Sequence, residues 1–86
     1  MVEDHQRLLV FHSLHRVMLA EKRLQVQYAV LLIPVPRSIS ADCGMALRFE
    51  AADQALIVQQ LREAGLKPFE LYVPTGDDNF VLLQTF

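Results

Sequence analysis

Arg7-Leu8-Leu9-Val10-Phe11-His12-Ser13-Leu14 is the stretch that decides the fold. Leu8 to Phe11 is a short apolar run bounded by Arg7 and His12, which reads as a buried strand. Ser13 follows, and a serine just ahead of an apolar-periodic run is a helix N-cap signal. The chain thus switches from strand to helix at Ser13. Leu14, Val17, Leu24 and Tyr28 then recur at helical spacing, with Ala20 or Glu21 between them. Arg16, Lys22, Arg23 and Gln27 supply polar faces, and the spacing predicts helix 1 over roughly 14–27.

Working outward, residues 29–33 read as strand 2, which Pro34-Val35-Pro36 stops because proline lacks a ladder donor. Met45, Leu47 and Phe49 alternate with Ala46 and Arg48, the pattern of a half-exposed strand 3. Helix 2 is predicted from about 51 to 64, with Asp53 in its first turn and Ile57, Val58, Leu61 and Ala64 as its buried stripe. Gly65 suits a left-handed C′ position, Leu66 the hydrophobic contact after it, and Pro68 prevents continuation. Residues 69–73 read as strand 4, residues 74–78 as a turn-rich break, and residues 79–86 as a fifth strand.

The order β-α-β-β-α-β predicts an α+β protein, a ferredoxin-like sandwich with two helices on one face of an antiparallel sheet and an extra C-terminal strand. We expect a single domain over 1–86, with a core at 7–73 and an additional tail at 74–86. The apolar tail, Phe80-Val81-Leu82-Leu83, needs cover from its own sheet or a second subunit. It is expected to add to a sheet edge and help make a homodimer.

Apolar residues form 52% of the chain and charged residues 21%, so it should fold. Eight basic against ten acidic side chains give −2, which argues against nucleic acid as the main partner. One cysteine excludes an internal disulfide, a CxxC pair and a cysteine-based zinc site. No apolar run approaches the roughly 18 residues that span a bilayer, and the start Met1-Val2-Glu3-Asp4-His5 is acidic where a signal peptide would be basic. The expectation is a cytoplasmic protein without a membrane partner.

Function is concentrated in residues 34–44, Pro34-Val35-Pro36-Arg37-Ser38-Ile39-Ser40-Ala41-Asp42-Cys43-Gly44. Eleven residues is long for a hairpin connection, where about two to five is usual. Gly44 permits a positive φ or a close approach before strand 3. Residues 40–43 can form one helical turn capped by Ser40, placing Cys43 near backbone N–H groups. A thiol beside such donors and a cation loses its proton more readily. Arg37 is the candidate cation, and the helix 1 N-terminus, with Ser13 and His15, offers a second positive field; Asp42 opposes both. In the predicted sandwich the end of strand 1, the start of helix 1 and this loop share one edge, so residues 12–15 and 34–44 are expected to be neighbours.

The string PVPRSISADCGMALRF, preceded by FHSLHRVMLAEKRL, resembles the selenium/sulfur-carrier-like family, small domains built around a Pro-x-Pro-Arg…Cys-Gly core. The resemblance covers roughly residues 7–73, and its specific part is matched by Pro34, Pro36, Arg37, Ile39, Ser40, Cys43 and Gly44. It implies that Cys43 holds sulfur or selenium as a persulfide or selenopersulfide, received from a protein donor and passed to a protein acceptor. Such a carrier needs no cofactor and no second cysteine. This chain departs from the family pattern in helix 1, where Gln27-Tyr28-Ala29 stands in place of a glycine, and in its tail after Val73.

Other readings remain open at this level. A lone cysteine also serves as a small buried hydrophobe. The same loop, through Arg37 and its N–H groups, suits an anion-sensing module, and the tail suits a dimerising regulatory module, neither with covalent chemistry. His12 and His15 are three apart, but one ends a strand and the other begins a helix, and no third metal ligand is evident. Either can hydrogen-bond the cysteine loop. His5 falls in an expected frayed terminus. Ser38 and Ser40 fit cap or turn roles, since no base or oxyanion signature accompanies them. Met18 and Met45 read as core fillers. A carrier or binding protein fits better than an enzyme.

Overall fold

The computed structural model describes residues 2–40 and 44–86. In chain order these form β1 (Gln6–Phe11), α1 (Leu14–Leu24), β2 (Leu31–Pro34), β3 (Met45–Glu50), a 3-10 turn (Ala51–Asp53), α2 (Gln54–Glu63), β4 (Phe69–Gly76) and β5 (Asn79–Thr85). The five strands make one sheet in the order β2-β3-β1-β4-β5. Every neighbouring pair is antiparallel.

The central position of β1 explains its unbroken apolar run. Leu8, Leu9, Val10 and Phe11 are all at most 5% exposed, because both faces of the sheet are covered there. Alternation then divides the sheet. Leu9 and Phe11, Leu47 and Phe49, and Phe69 and Leu71 face the helices, where Val17, Ala20 and Leu24 of α1 and Ile57, Val58 and Leu61 of α2 complete the core. Leu8, Val10, Ile33 and Ala46 form a second, smaller cluster on the opposite face. No helix covers that face. Val35 and Ile39 from the β2–β3 loop, Val2, and Tyr72 and Phe80 from the last two strands pack against it instead.

The helix ends follow local chemistry. Ser13 is extended (φ −151°, ψ 119°), and its Oγ accepts the Arg16 N–H at 3.2 Å. At the C-terminus of α2, the Leu66 N–H donates to the Leu61 carbonyl and the Gly65 N–H to the Arg62 carbonyl, both at 3.1 Å. That pair of bonds is a Schellman motif, closed by Gly65 at φ +72° and by burial of Leu66.

Several expectations are corrected. Helix 1 ends at Leu24 rather than near 27: the Gln27 and Tyr28 N–H groups both turn back onto the Leu24 carbonyl. Leu14 is 61% and Met18 53% exposed, so neither belongs to the core stripe. Strand 2 starts at Leu31 and includes Pro34, which pairs with Met45. Its missing donor costs no ladder bond because β2 is an edge strand. The expected break at 74–78 shrinks to Asp77 and Asp78, with φ of 52° and 62°. Positive φ at both central residues makes a two-residue hairpin turn between Gly76 and Asn79. Pro74, Thr75 and Gly76 belong to β4.

His5 is not frayed. Its Nδ1 lies 2.8 Å from Glu50 Oε1, and its carbonyl accepts the Ala51 N–H at 2.8 Å. The His5 hydrogen bond, followed by one from Gln6, holds the Glu50 carboxyl below its ordinary pKa. No helix of the described residues is long and apolar enough to cross a membrane.

Candidate functional site

Strand direction gathers the site at one end of the sheet. β1 finishes there, α1 begins there, β2 feeds its long loop there, and β4 starts there. The result is an open cleft of about 1010 Å³. From the β1–α1 corner it takes Val10, His12 and Leu14; from the loop, Val35, Arg37, Ile39 and Ser40; from β4, Glu70 and Tyr72. The corner and the loop therefore meet across one cleft, although about twenty positions separate them in the chain.

The loop is shorter than its sequence suggests. The Val35 N–H donates to the Gly44 carbonyl at 3.0 Å, which carries the β2–β3 ladder one rung past Pro34. The Ile39 and Ser40 N–H groups both donate to the Pro36 carbonyl, at 3.0 and 3.2 Å, closing a tight turn over residues 36–40. This turn presses Ile39 onto the helix-free face of the sheet. It also brings Ser38 to the β4–β5 hairpin, where its Oγ donates to the Asp78 carbonyl at 2.8 Å. The loop is thus anchored at both ends of its described part.

Gly44 departs from expectation. Its φ is not in the left-handed region, and a Cβ there would meet only the Val35 side chain at an ordinary 3.6 Å. Neither backbone conformation nor crowding among the described residues requires glycine at this position. The expected helical turn over 40–43, and Cys43 itself, lie outside the described residues together with Ala41 and Asp42.

Of the polar heart of the cleft, His12 was singled out in the sequence, whereas Glu70 and Tyr72 were not. Glu70 Oε1 accepts the Tyr72 hydroxyl at 3.3 Å and lies 3.3 Å from His12 Nε2. Burial first, then the Glu70 charge and hydrogen bond, push the Tyr72 phenol above its ordinary pKa. A carboxylate facing Nε2 favours the tautomer with its proton on Nε2, leaving Nδ1 as an acceptor. His12 is too exposed for this pair to add much stability; its effect is to orient the ring. Arg37 supplies a cation on the loop side of the same cleft. The arrangement offers a positive group, an oriented imidazole and a carboxylate around an apolar floor.

The signal for Glu70 and Tyr72 was present but needed topology. They alternate with Phe69, Leu71 and Val73, so they face away from the helices; pairing of β4 with β1 then sets Glu70 opposite Val10, two residues from His12. Ser13 and His15 do not line the cleft: Ser13 caps α1, and His15 is exposed on its first turn. Met45 is half-buried between the core and the cleft. Among the described residues no group of three His, Cys, Asp or Glu side chains is placed to hold a metal ion.

No curated protein and no solved structure matched the chain. A family model described as "Putative Se/S carrier protein-like" matches residues 6–73.

Proposed function

The chain belongs to the Se/S carrier protein-like family, and from that membership we propose that it carries sulfur or selenium on Cys43. The observation behind this reading is the family match across the Pro34–Gly44 loop, whose described flanks line a cleft with a cation and an oriented imidazole. In the proposed cycle the Cys43 thiolate attacks the outer chalcogen of a donor persulfide. The bond between the donor's two chalcogens breaks, a Cys43 persulfide or selenopersulfide forms, and the donor leaves as a thiolate that takes up a proton. An acceptor thiolate repeats the exchange in the second half. No net oxidation occurs, so no redox cofactor is called for. Arg37 favours the anionic species at each stage, and His12 is available to exchange the proton. Ser40 and Gly44 flank the carrier segment in the chain, while Ser13 and His15 belong to the start of α1. The donor and acceptor are proteins in this reading, and the reducing cytoplasm is the setting in which a free thiol persists. The scaffold is a ferredoxin-like sandwich whose sheet is widened by β5.

Intact-mass measurement tests the proposal. After exposure to an excess of a low-molecular-weight persulfide, the folded chain should gain one sulfur atom, removable by a thiol acceptor. Cys43→Ser should gain nothing. An unmodified wild-type chain, or equal labelling of the variant, would falsify the reading. A second reading, reversible anion sensing without covalent chemistry, is favoured by the size of the cleft and the placement of Arg37. A ligand-dependent rise in Tm that survives Cys43→Ser and is lost in Arg37→Ala would select it.

A further inference from the structure

The outer edge of β5 is unlike the opposite edge of the sheet. It ends the sheet, so one side of a seven-residue strand has no neighbour among the described residues. Its sequence, Asn79 to Thr85, holds no charge and no proline. Val81, Leu82 and Leu83 are 54%, 47% and 56% exposed. Exposed edges are normally blunted by charge, proline or brevity, because unpaired N–H and C=O groups template further pairing. The opposite edge follows that rule: β2 has four residues and ends on Pro34. β5 has neither charge, proline nor brevity; it is interrupted by a register shift at Leu83, between the Leu71–Gln84 and Tyr72–Leu82 pairs.

We infer that β5 pairs with β5 of a second copy of this chain, antiparallel across a two-fold axis, to make one continuous ten-stranded sheet. Three observations choose this occupant and this geometry. First, the two edges of the sheet do not match in length, seven residues against four, so β5 cannot be covered along its length by β2 of another copy. That head-to-tail pairing would also leave a free edge at each end of a growing chain. Second, a strand that carries no charge meets its own copy without repulsion along the paired segment. Third, the hairpin turn bears two carboxylates, Asp77 and Asp78. Parallel pairing would bring four of them together, whereas antiparallel pairing keeps the two turns at opposite ends. The exposed Val81, Leu82 and Leu83 side chains would then become cross-strand neighbours of their copies. No β5 residue lines the cleft, and the dimer inference rests on the edge strand and not on the carrier reading, although Tyr72 of the cleft pairs with Leu82.

Sedimentation velocity on the full chain, with a reductant present to prevent a disulfide through Cys43, tests the inference. The expected mass is twice the 9.8 kDa of one chain. Val81→Lys combined with Leu83→Lys should return the mass to one chain while the helical circular dichroism is retained, since both side chains are more than half exposed within a single chain. Amide exchange of residues 79–85 should be slow in the wild type and fast in the variant. A wild-type chain that stays monomeric across the micromolar range overturns the inference. So does a dimer that survives both lysines with unchanged exchange, or a mass that grows without limit.

Discussion

Glu70 uses one carboxylate oxygen to meet two neighbours, the Tyr72 hydroxyl and the His12 ring. The Tyr72 proton is held by burial and by the adjacent negative charge. For an acid whose folded pKa is raised, the folded state keeps its proton longer than the unfolded chain. The resulting stability is present below about 10, the ordinary phenol value, and is lost as pH rises through the folded pKa. In a Tyr28→Phe background, ultraviolet absorbance should show Tyr72 ionising above the ordinary range. Glu70→Gln should move that titration back down, because it removes the charge. An unchanged titration would mean that burial alone sets the shift. At this scale the sequence was partly legible. Arg37, His12, Ser40 and Gly44 were singled out and do line the cleft. Glu70 and Tyr72 were not, because their role depends on a strand pairing that no local motif records.

Elements were most readable where their signals are local. Ser13 starts α1, and Gly65 with Leu66 ends α2, because capping depends on a few adjacent backbone groups. Gly65→Ala isolates that effect. A Cβ at Gly65 would meet nothing within 4 Å among the described residues, so the cost lies in the left-handed backbone, about 1 kcal/mol. Urea unfolding should show that loss, and a neutral result would mean that the motif opens without consequence. Boundaries set by the sheet were less readable. Pro34 reads as a strand breaker until β2 is known to be an edge. Leu14 fits the apolar period of α1, yet periodicity carries no information on where the sheet beneath it stops. Pro74 and Gly76 look like turn residues, but the hairpin tightens onto Asp77 and Asp78 instead.

Across the whole molecule, the helix-free face explains how the described part of the loop is held. Ile39, Val35 and Phe80 cover Leu8, Val10, Ile33 and Ala46 where a second layer of helices would otherwise be needed. No sequence pattern exposes this, since it joins segments about forty residues apart, as the Ser38–Asp78 bond also does. Ile39→Ala should therefore lower global stability by about 1–2 kcal/mol, below the range for a fully buried site because Ile39 is only half-buried. Arg37→Ala, exposed in the same loop, should change it by less than about 0.5 kcal/mol. Equal effects would show that the loop does not contribute to the fold in this way. Anchoring of this kind holds the described flanks, and in the proposed function it is the Cys43 sulfur on which the Arg37 charge acts. The most direct measurement is the pH dependence of Cys43 alkylation in the folded chain. Labelling should be rapid, with half-maximal rate below about pH 8.5, the value for a free thiol, and should return towards that value in Arg37→Ala. Labelling that appears only when the chain unfolds, or that follows an ordinary thiol in both proteins, would contradict it.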